Sequence, residues 1–367
     1  MVQLYDSRLW KEDIKLAATG FPDAAERLAG KVVMVTGATG LIGSAVIDIL
    51  LALTEGMENP TKILAAGRDQ EKMLKRFGPD ASSARVLFVP YNATGHNELK
   101  FHADYIIHAA SPATPAEIQS MPVETMLANL AGVKYLLEYM LHEQREGRHT
   151  RLLYVSSSEV YGEMEGNEPH VEEKTGSVDI LDPRSAYPVS KRAAEALCRA
   201  YGEEYDTDAV IVRPGHIYGP GAAPSDTRIQ AEFTRRAAVN VRLVMKTPGT
   251  QIRSYCYAAD CASAILRVLL SGDKGEVYNI SNRSSLITVR RMAEIVAVAG
   301  KVPLILPETE QNSSGKESTQ MTEQEARSYS TMQNASLDSR KLESLGWQGR
   351  FDAASGFFHT VRILRGE

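Results

Sequence analysis

The segment from Lys31 to Leu53 constrains the fold of this chain more than any other feature. Residues 31–36 form a short, β-branched apolar run of the kind that a strand buried on both faces requires. The run leads directly into the turn 37–43, which reads G-x-x-G-x-x-G, and residues 44–53 have the composition of a buried helix. A strand, a glycine turn and a helix in this order aim helix N–H groups at a pyrophosphate, so the sequence predicts dinucleotide binding.

Strand-like and helix-like segments alternate along the rest of the chain. Predicted strands are 62–66, 85–89, 104–108, 151–156, 209–212 and 276–280, and predicted helices are 70–77, 123–142 and 190–205. This alternation predicts an α/β fold with a doubly wound parallel sheet of the Rossmann type and a smaller C-terminal substrate lobe.

The same pattern gives expected domain boundaries. We expect a partly helical lead-in over 1–30, without a core of its own, and a dinucleotide-binding domain over 31–213 to which 253–281 returns. The substrate lobe is expected over 214–252 and 282–367. The polar, Ser/Thr/Gln/Glu-rich segment 308–331 is predicted to be a surface loop or lid.

Composition excludes several classes of protein. The 367 residues carry a net charge of −5 without a basic block, which argues against a nucleic-acid binder. The three cysteines, Cys198, Cys256 and Cys261, are too few and scattered for a disulfide framework or a cysteine zinc site. No apolar stretch is long enough to span a bilayer, and the start lacks a signal-peptide pattern, so a cytoplasmic protein without a membrane partner is expected.

The end of the second strand bears on the choice of cofactor. An acid there would hold the ribose 2′-hydroxyl of NAD, whereas an arginine suits the 2′-phosphate of NADP. The sequence reads Gly67-Arg68-Asp69, which leans towards NADP through Arg68. The alternative is that Arg68 is a solvated loop residue and that Asp69 supplies the acid after a one-residue shift, so NAD and NADP both stay open.

A Tyr-x-x-x-Lys pair opens the helix that continues to Tyr205. Tyr187 and Lys191 lie one turn apart on one helical face, where an ammonium can lower the pKa of a phenol that exchanges protons with a substrate hydroxyl. Upstream, the run 154–162 puts the hydroxyls of Ser157 and Ser158 and the carboxylate of Glu159 after a buried strand. Ligands of such sheets bind at the carboxyl ends of the strands, so these residues are candidates for one site.

The motifs together resemble a known family, the extended short-chain dehydrogenase/reductases of the NAD-dependent epimerase/dehydratase type, which modify nucleotide sugars. The resemblance covers nearly all of the chain from Lys31 onwards. It rests on TGATGLIG (36–43), HAASPATP (108–115), Asn129, YVSSSEVYG (154–162), YPVSK (187–191), RPGHIYGPG (213–221), RSYCYAAD (253–260) and the late LDSRKL and LGW runs.

The resemblance implies roles for individual residues. Ser157 and Tyr187 would hydrogen-bond the reacting sugar hydroxyl, with Tyr187 as the base. The implied substrate contacts are Ser111, Ser158 and Arg253, and Arg253 would meet the nucleotide diphosphate. The implied cofactor contacts are Gly37, Thr39, Gly40, Leu41, Ile42, Gly43, Arg68, Ala109, Ala110, Ser111, Tyr187, Lys191 and Pro214. No metal is expected, and His102 and His108 are interpreted as core or surface residues. Family members pair through two long helices, so a homodimer through 123–142 and 190–205 is expected.

The residues that follow the predicted strand 151–156 indicate which reaction is expected. By the resemblance, family dehydratases carry Thr-Asp-Glu after this strand, and their Asp protonates the departing hydroxyl. This chain has Ser157-Ser158-Glu159 instead. Losing that general acid should slow dehydration by about 10²–10⁴-fold, but carbon dioxide leaves a 4-keto uronate without an acid. Glu159 and the run 108–115 are most similar to the UDP-glucuronate decarboxylases, so the first reading is an NDP-glucuronate decarboxylase.

Other readings stay open at this point. A 4,6-dehydratase or epimerase acting on a related nucleotide sugar is the nearest alternative. Glu159 could instead cap a turn and have no chemical role. A ketoreductase that consumes NADPH would fit Arg68, and a non-catalytic cofactor sensor or scaffold would fit the fold alone.

Overall fold

A computed structural model describes residues 3–20, 23–82, 85–95, 97–112, 114–307 and 332–367. The strands are β1 Val32–Thr36, β2 Lys62–Gly67, β3 Val86–Pro90, β4 Tyr105–His108, β5 Arg151–Val155, β6 Asp208–Pro214, β7 His216–Tyr218, β8 Leu243–Val244, β9 Ile252–Tyr257, β10 Val277–Ile280, β11 Leu286–Thr288, β12 Leu304–Ile305 and β13 Asn334–Ala335. The predicted segment 308–331 lies outside the described residues.

Helices cover both faces of the main sheet and build the second lobe. They are α1 Arg8–Ala18, α2 Ala24–Leu28, α3 Leu41–Leu53, α4 Gln70–Phe77, α5 Pro79–Ser82, α6 Pro115–Ser120, α7 Pro122–Arg145, α8 Ala186–Tyr205, α9 Ile229–Ala238, α10 Ala258–Ser271, α11 Val289–Gly300, α12 Arg340–Ser344 and α13 Ala353–Arg365. The predicted helix 190–205 therefore begins four residues earlier, which places Tyr187 in its first turn.

The main sheet confirms the predicted doubly wound fold. Its seven strands run in the order β10-β6-β5-β4-β1-β2-β3, and every neighbouring pair is parallel. The strand order reverses between β1 and β4, and ligands of such sheets bind in the crevice at the carboxyl ends beside the reversal. In the register, Thr36 lies opposite both Ala66 and His108, so the loops after β1, β2 and β4 start at one level.

A smaller sheet lies beyond the carboxyl edge. β9 pairs with β7, β11 and β13, while β8 and β12 form a separate two-stranded ribbon. The segment between residues 253 and 281 is divided, since β9 joins the small sheet and β10 joins the large one. The domain boundaries stay a prediction.

The residues before β1 are helical and dock on the body of the protein. α1 contacts α3, α10 and α13, and Trp10, Ile14 and Ala17 are buried in the main core. No helix within the described ranges is both long enough and apolar enough to span a bilayer.

Candidate active site

The glycine turn is closed by backbone contacts that leave no room for side chains. Gly37 has φ +66°, and a Cβ added to it would lie 2.7 Å from the carbonyl oxygen of Ala109. A Cβ on Gly43 would overlap the carbonyl oxygen of Gly37. Gly40 is the N-cap of α3 and provides no capping side chain. The first N–H groups of α3, together with Thr39, thus form a cradle that fits a dinucleotide pyrophosphate.

The loop after β2 separates the two residues considered for the cofactor ribose. Asp69 is the N-cap of α4, and its carboxylate accepts the backbone N–H of Lys72 at 2.9 Å. Arg68 is exposed, and a Cβ on Gly67 would meet nothing within 4 Å. Asp69 therefore already has a structural role, while Arg68 stands next to open space.

A buried polar chain links the loop after β4 to the first turn of α8. The hydroxyl of Ser111 donates to the Asn129 side-chain oxygen at 2.7 Å, and the Asn129 amide donates to Ser190 at 2.9 Å. The Ser190 hydroxyl in turn donates to the backbone carbonyl of Tyr187 at 3.0 Å. Asn129, which the resemblance included without a role, thereby links the loop after β4 to the helix turn that carries Tyr187.

His108, at the end of β4, packs beside the loop that carries Ala110 and Ser111. Its Nδ1 lies 2.7 Å from the hydroxyl oxygen of Thr36, which also accepts the N–H of Ala110 at 3.2 Å. Burial, followed by the nearby Lys191, lowers the pKa of His108 to about 3, so the ring is neutral near pH 7. The arrangement agrees with the interpretation of His108 as a core residue. Within the described ranges, no cluster of His, Cys, Asp and Glu could hold a metal ion.

Lys191 is buried at the carboxyl end of β5. Its ammonium donates to the carbonyl of Val155 at 2.8 Å and lies 4.9 Å from the ring centre of Tyr154 and 5.7 Å from that of Tyr187. Burial lowers the pKa of Lys191 to about 7, although Glu195 opposes the shift. Lys191 thus sits beside the candidate base as a proton-bearing group that titrates near neutral pH.

Tyr187 is buried and faces Ser157. Burial raises the pKa of the phenol, as does the negative charge of Glu159, while a hydrogen bond with Ser157 and the charge of Arg228 lower it. Ser157 also caps the short 3₁₀ turn Ser158–Tyr161 by accepting the N–H of Glu159 at 3.2 Å. One serine therefore orients both the phenol and the turn that carries Glu159.

Glu159 faces positive charge that the sequence did not predict. Burial raises the pKa of its carboxyl group, and the charges of Arg184 and Arg228 partly oppose the rise. Arg228 is held by Asp226 through Nε at 3.0 Å and Nη2 at 2.6 Å. One edge of the guanidinium is thus occupied, and Arg228 acts as a fixed cation beside Tyr187 and Glu159.

Arg253 forms the outer part of this positive region. It lies on β9 with 5% of its surface exposed, and it donates to the carbonyl of Ile252 at 2.9 Å. Burial lowers its pKa, and Arg184 lowers it further, which places the two cations near each other. No ion pair of Arg253 with an acid is found in the described part of the chain. A buried arginine without an acid is suited to a phosphate or carboxylate ligand.

The remaining predicted residues also lie along this edge. Leu41 and Ile42 begin α3, Ala109 and Ala110 follow β4, Pro214 ends β6, and Ser158 is buried in the turn before Glu159. Sequence reasoning missed Arg184 and Arg228. Arg184, three residues before Tyr187, could have been found from its position in the 3₁₀ turn Pro183–Ser185 that leads into α8, whereas Arg228 stands in a loop with no recognisable pattern.

Comparisons with known proteins agree with this geometry. The profile described as the NAD dependent epimerase/dehydratase family matches residues 33–281. UDP-glucuronic acid decarboxylase 6 of Arabidopsis thaliana is 30% identical over 268 residues, which are 72% of this chain and 73% of the relative. The dTDP-D-glucose 4,6-dehydratase of Mus musculus is 26% identical over 340 residues, 91% of this chain and 89% of the relative.

Solved structures show the same fold at lower identity. A dTDP-glucose 4,6-dehydratase from Bacillus anthracis in complex with NAD has a TM-score of 0.70 at 19% identity, covering 92% of this chain and 97% of that one. RMD from Pseudomonas aeruginosa complexed with NADPH has a TM-score of 0.67 at 22% identity, covering 91% of this chain and 100% of that one.

These matches confirm the resemblance. The chain belongs to the NAD-dependent epimerase/dehydratase family of nucleotide-sugar enzymes, and its cofactor is a nicotinamide dinucleotide.

Proposed function

We propose that this protein decarboxylates a nucleoside-diphosphate glucuronate. The observation that carries the proposal is the turn after β5, where Ser157 faces Tyr187, Ser158 is buried and Glu159 faces two arginines. The 30% identity to a UDP-glucuronic acid decarboxylase supports it and favours UDP as the nucleotide.

The proposed reaction begins and ends at C4 of the sugar. A nicotinamide dinucleotide held by the glycine turn and Lys191 would supply the hydride acceptor for oxidation at C4 and the hydride donor for the final reduction there. Tyr187 accepts the C4 hydroxyl proton while Ser157 hydrogen-bonds the same oxygen. The resulting 4-keto uronate is a β-keto acid, so the C5–C6 bond breaks, carbon dioxide leaves and the electron pair moves onto the C4 oxygen. The hydroxyl groups of Ser157 and Tyr187 stabilise that oxygen, and a proton then adds to C5.

The charges around Glu159 fit an acidic substrate. Arg184, Arg228 and Arg253 supply three cations for a diphosphate and a sugar carboxylate. The raised pKa of Glu159 suits it to hold and release a proton near C5.

A specific feature disfavours the elimination of water. Ser158 occupies the position at which, by the resemblance, family dehydratases carry an Asp. The other acid nearby, Asp226, binds Arg228 through both of its carboxylate oxygens. Both oxygens of this carboxylate are held by the Arg228 guanidinium, so Asp226 is not placed to donate a hydrogen bond to a departing hydroxyl.

Mass spectrometry of purified enzyme with UDP-, dTDP-, CDP- and GDP-sugars, uronates included, tests the proposal. Loss of carbon dioxide from a uronate supports it and identifies the nucleotide. Glu159→Gln should slow this loss, while Glu163→Gln, an acid beyond the 3₁₀ turn, serves as the matched control. Absence of carbon dioxide loss from every uronate would overturn the assignment.

A 4,6-dehydratase is the second candidate, because the mouse dehydratase matches 91% of the chain and Glu159 is retained. Loss of water from a neutral hexose nucleotide would establish it. Conversion without a change in mass would indicate an epimerase. A scaffold that binds cofactor without turnover predicts that Tyr187→Phe changes nothing.

We propose NADP(H) as the preferred cofactor. Arg68 stands beside open space at the end of β2, while the carboxylate of Asp69 is engaged in capping α4. Mass spectrometry of the dinucleotide released by denaturing the purified protein tests this. Arg68→Ala should shift the bound fraction towards NAD, with Lys72→Ala on α4 as the control, and recovery of NAD alone from the unaltered protein would contradict the proposal.

We also propose a homodimer through α7 and α8. These helices pack side by side, and Val123 and Leu127 on α7 are 63% and 54% exposed. Exposed apolar residues one turn apart on a long helix fit a helix-bundle interface. Light scattering should give twice the mass of the chain, and Leu127→Arg should give a monomer, whereas Val298→Arg on the other lobe should not.

A cytoplasmic location is proposed for the compartment. Cys198, Cys256 and Cys261 are buried and unbonded, as in proteins of reducing compartments. Cell fractionation tests this, and recovery from an oxidising compartment would contradict it.

A further inference from the structure

The described residues before β1 lie outside the segment that matches the family, which begins at residue 33, and yet they are part of the main core. Residues 3–20 and 23–28 are called here the N-terminal strap. α1 buries Trp10, Ile14 and Ala17, and α2 buries Ala24 and Leu28. Terminal segments of domains fray unless they are tied down, so this much buried apolar surface needs an explanation.

Trp10 joins the strap to the helix of the glycine turn. Its Nε1–H donates to the carboxylate of Asp48 on α3 at 2.7 Å, and Arg76 of α4 donates to the same carboxylate, through Nη1 at 3.2 Å. The Trp10 ring meets Tyr257 edge-on, with centroids 5.9 Å apart and an interplanar angle of 84°. Trp10 therefore contacts α3 and the end of β9, and it shares the Asp48 carboxylate with Arg76 of α4.

Asp13 joins the strap to the second lobe. It is 2% exposed, and its carboxylate accepts the Tyr257 hydroxyl at 2.8 Å and lies 2.8 Å from Nδ1 of His359 on α13. A buried carboxylate with two such partners is costly to separate from them, so the strap stays attached to β9, the strand that carries Arg253.

Leu4 brings the start of the strap to the cofactor cradle. A Cβ on Gly221 would lie 3.5 Å from Cδ1 of Leu4 and 3.5 Å from Cδ1 of Leu41. Leu41 is the first residue of α3, directly after Gly40. Leu4 thus packs where the loop 219–221 meets the helix end that receives a pyrophosphate.

We propose that the N-terminal strap holds α3 and the loop 219–221 against each other and thereby retains the dinucleotide from one turnover to the next. This inference rests on the proposed function, in which the hydride returns to the sugar and the cofactor has no need to leave. A net reductase must exchange its cofactor in every turnover, and such a strap would slow it.

An exchange experiment on the purified holoenzyme tests the strap without any sugar. The protein is mixed with excess deuterated dinucleotide, and the bound fraction of label is followed by mass spectrometry. Leu4→Ala removes the contact at Gly221, and Trp10→Phe keeps an aromatic ring but removes the N–H that Asp48 accepts. Both variants should exchange at least about tenfold faster than the unaltered protein.

Two controls separate retention from general loss of stability. Leu16→Ala alters a side chain of α1 that is 46% exposed, and Ile295→Ala creates a cavity in α11 away from the strap. Both should exchange at the unaltered rate, even if Ile295→Ala lowers the melting temperature. Unchanged exchange in Leu4→Ala and Trp10→Phe would overturn the proposal, as would equally fast exchange in Ile295→Ala.

The exchange experiment and the sugar assay distinguish failure of the strap proposal from failure of the assigned reaction. Carbon dioxide loss from a uronate together with unchanged exchange in the strap variants would overturn only the strap. Faster exchange in those variants without any carbon dioxide loss would overturn only the assigned reaction.

Discussion

The two edges of the seven-stranded sheet treat buried charge differently. At the amino edge, Lys31 pairs with Asp104 at 2.9 Å and Arg151 with Asp208 at 3.3 Å. Burial alone would raise the pKa of Asp104, but the N–H of Val32 and the Lys31 ammonium outweigh it and lower the pKa. A cavity of about 340 Å³ at this edge is lined by the residues of these two ion pairs.

The carboxyl edge also holds ion pairs, Arg213 with Glu195 and Arg228 with Asp226, but other charged groups there have no ionic partner among the described residues. Lys191 donates to a backbone carbonyl, Arg253 has 5% of its surface exposed without an acid partner in the described residues, and Glu159 carries a raised pKa. An unpaired buried charge is unfavourable, and proteins tolerate it chiefly at functional sites. The cavity at the amino edge is a poor candidate for the active site, because its charged groups bind one another rather than a ligand.

The comparison predicts its largest effect at Tyr187. Tyr187→Phe removes the hydroxyl that exchanges the substrate proton, and kcat/KM should fall by about 10³-fold while dinucleotide binding stays unchanged. Tyr105→Phe, at the amino edge, is the matched control and should keep full activity. Equal losses of activity in the two variants would show that the edges do not differ in function.

The second prediction concerns a paired charge near the site. Arg213 of β6 donates to Glu195 of α8 through Nε at 3.0 Å and Nη2 at 2.7 Å, and both side chains are at most 10% exposed. Glu195→Gln leaves a buried arginine without its carboxylate and should lower the free energy of unfolding by about 3 kcal/mol.

Urea unfolding followed by circular dichroism measures this change. Glu203→Gln is the control, since the pair of Glu203 with Arg199 is exposed and should change stability by less than about 0.5 kcal/mol. A similar small change for Glu195→Gln would mean that buried pairing at the carboxyl edge contributes nothing to stability.

The central sheet and its glycine turn were predictable from the sequence for a physical reason. Strands buried on both faces must be apolar throughout, and the turn into α3 leaves no space for a Cβ at Gly37 or Gly43. Such constraints are local, so they are visible in a single segment. Apolar patterning does not define the ends of elements, and α8 begins at Ala186 rather than at residue 190 although Ser185 provides no side-chain cap.

The unpredicted parts of the site come from contacts that are distant along the chain. Arg228 reaches Tyr187 and Glu159 from a loop of the second lobe, and no spacing rule connects these segments. Docking of α1 was also missed, because only a few apolar residues of a polar helix meet the core. The capping role of Asp69 was recognisable in principle, since an Asp directly before a predicted helix commonly accepts an N–H group of the first helical turn.

A third prediction uses the pH dependence of stability. The pKa of Lys191 is lowered from its ordinary value of 10.5 to about 7 in the folded protein, chiefly by burial. Between those two values the unfolded chain binds more protons than the folded one, so the stability of the cofactor-free protein should rise with pH above 7.

The rise due to Lys191 should be at most about 1.4 kcal/mol per pH unit. Thermal unfolding of cofactor-free protein between pH 7 and 8.5 measures it, and Lys191→Met should flatten the curve. Lys274→Met, at an exposed pair with Asp206, should leave the slope as it is. A steep rise that persists in Lys191→Met would assign the titration to another group.

The smallest expected effect lies at the amino edge. Asp208 pairs with Arg151, and its side chain is 15% exposed, so water screens part of the interaction. Asp208→Asn keeps the shape and removes the charge, and it should lower the free energy of unfolding by about 1 kcal/mol with kcat/KM unchanged. β6 runs seven residues from Asp208 to Pro214, about 20 Å, so the altered charge is far from Tyr187. A loss of activity larger than the loss of stability would show that the paired edge also serves the reaction.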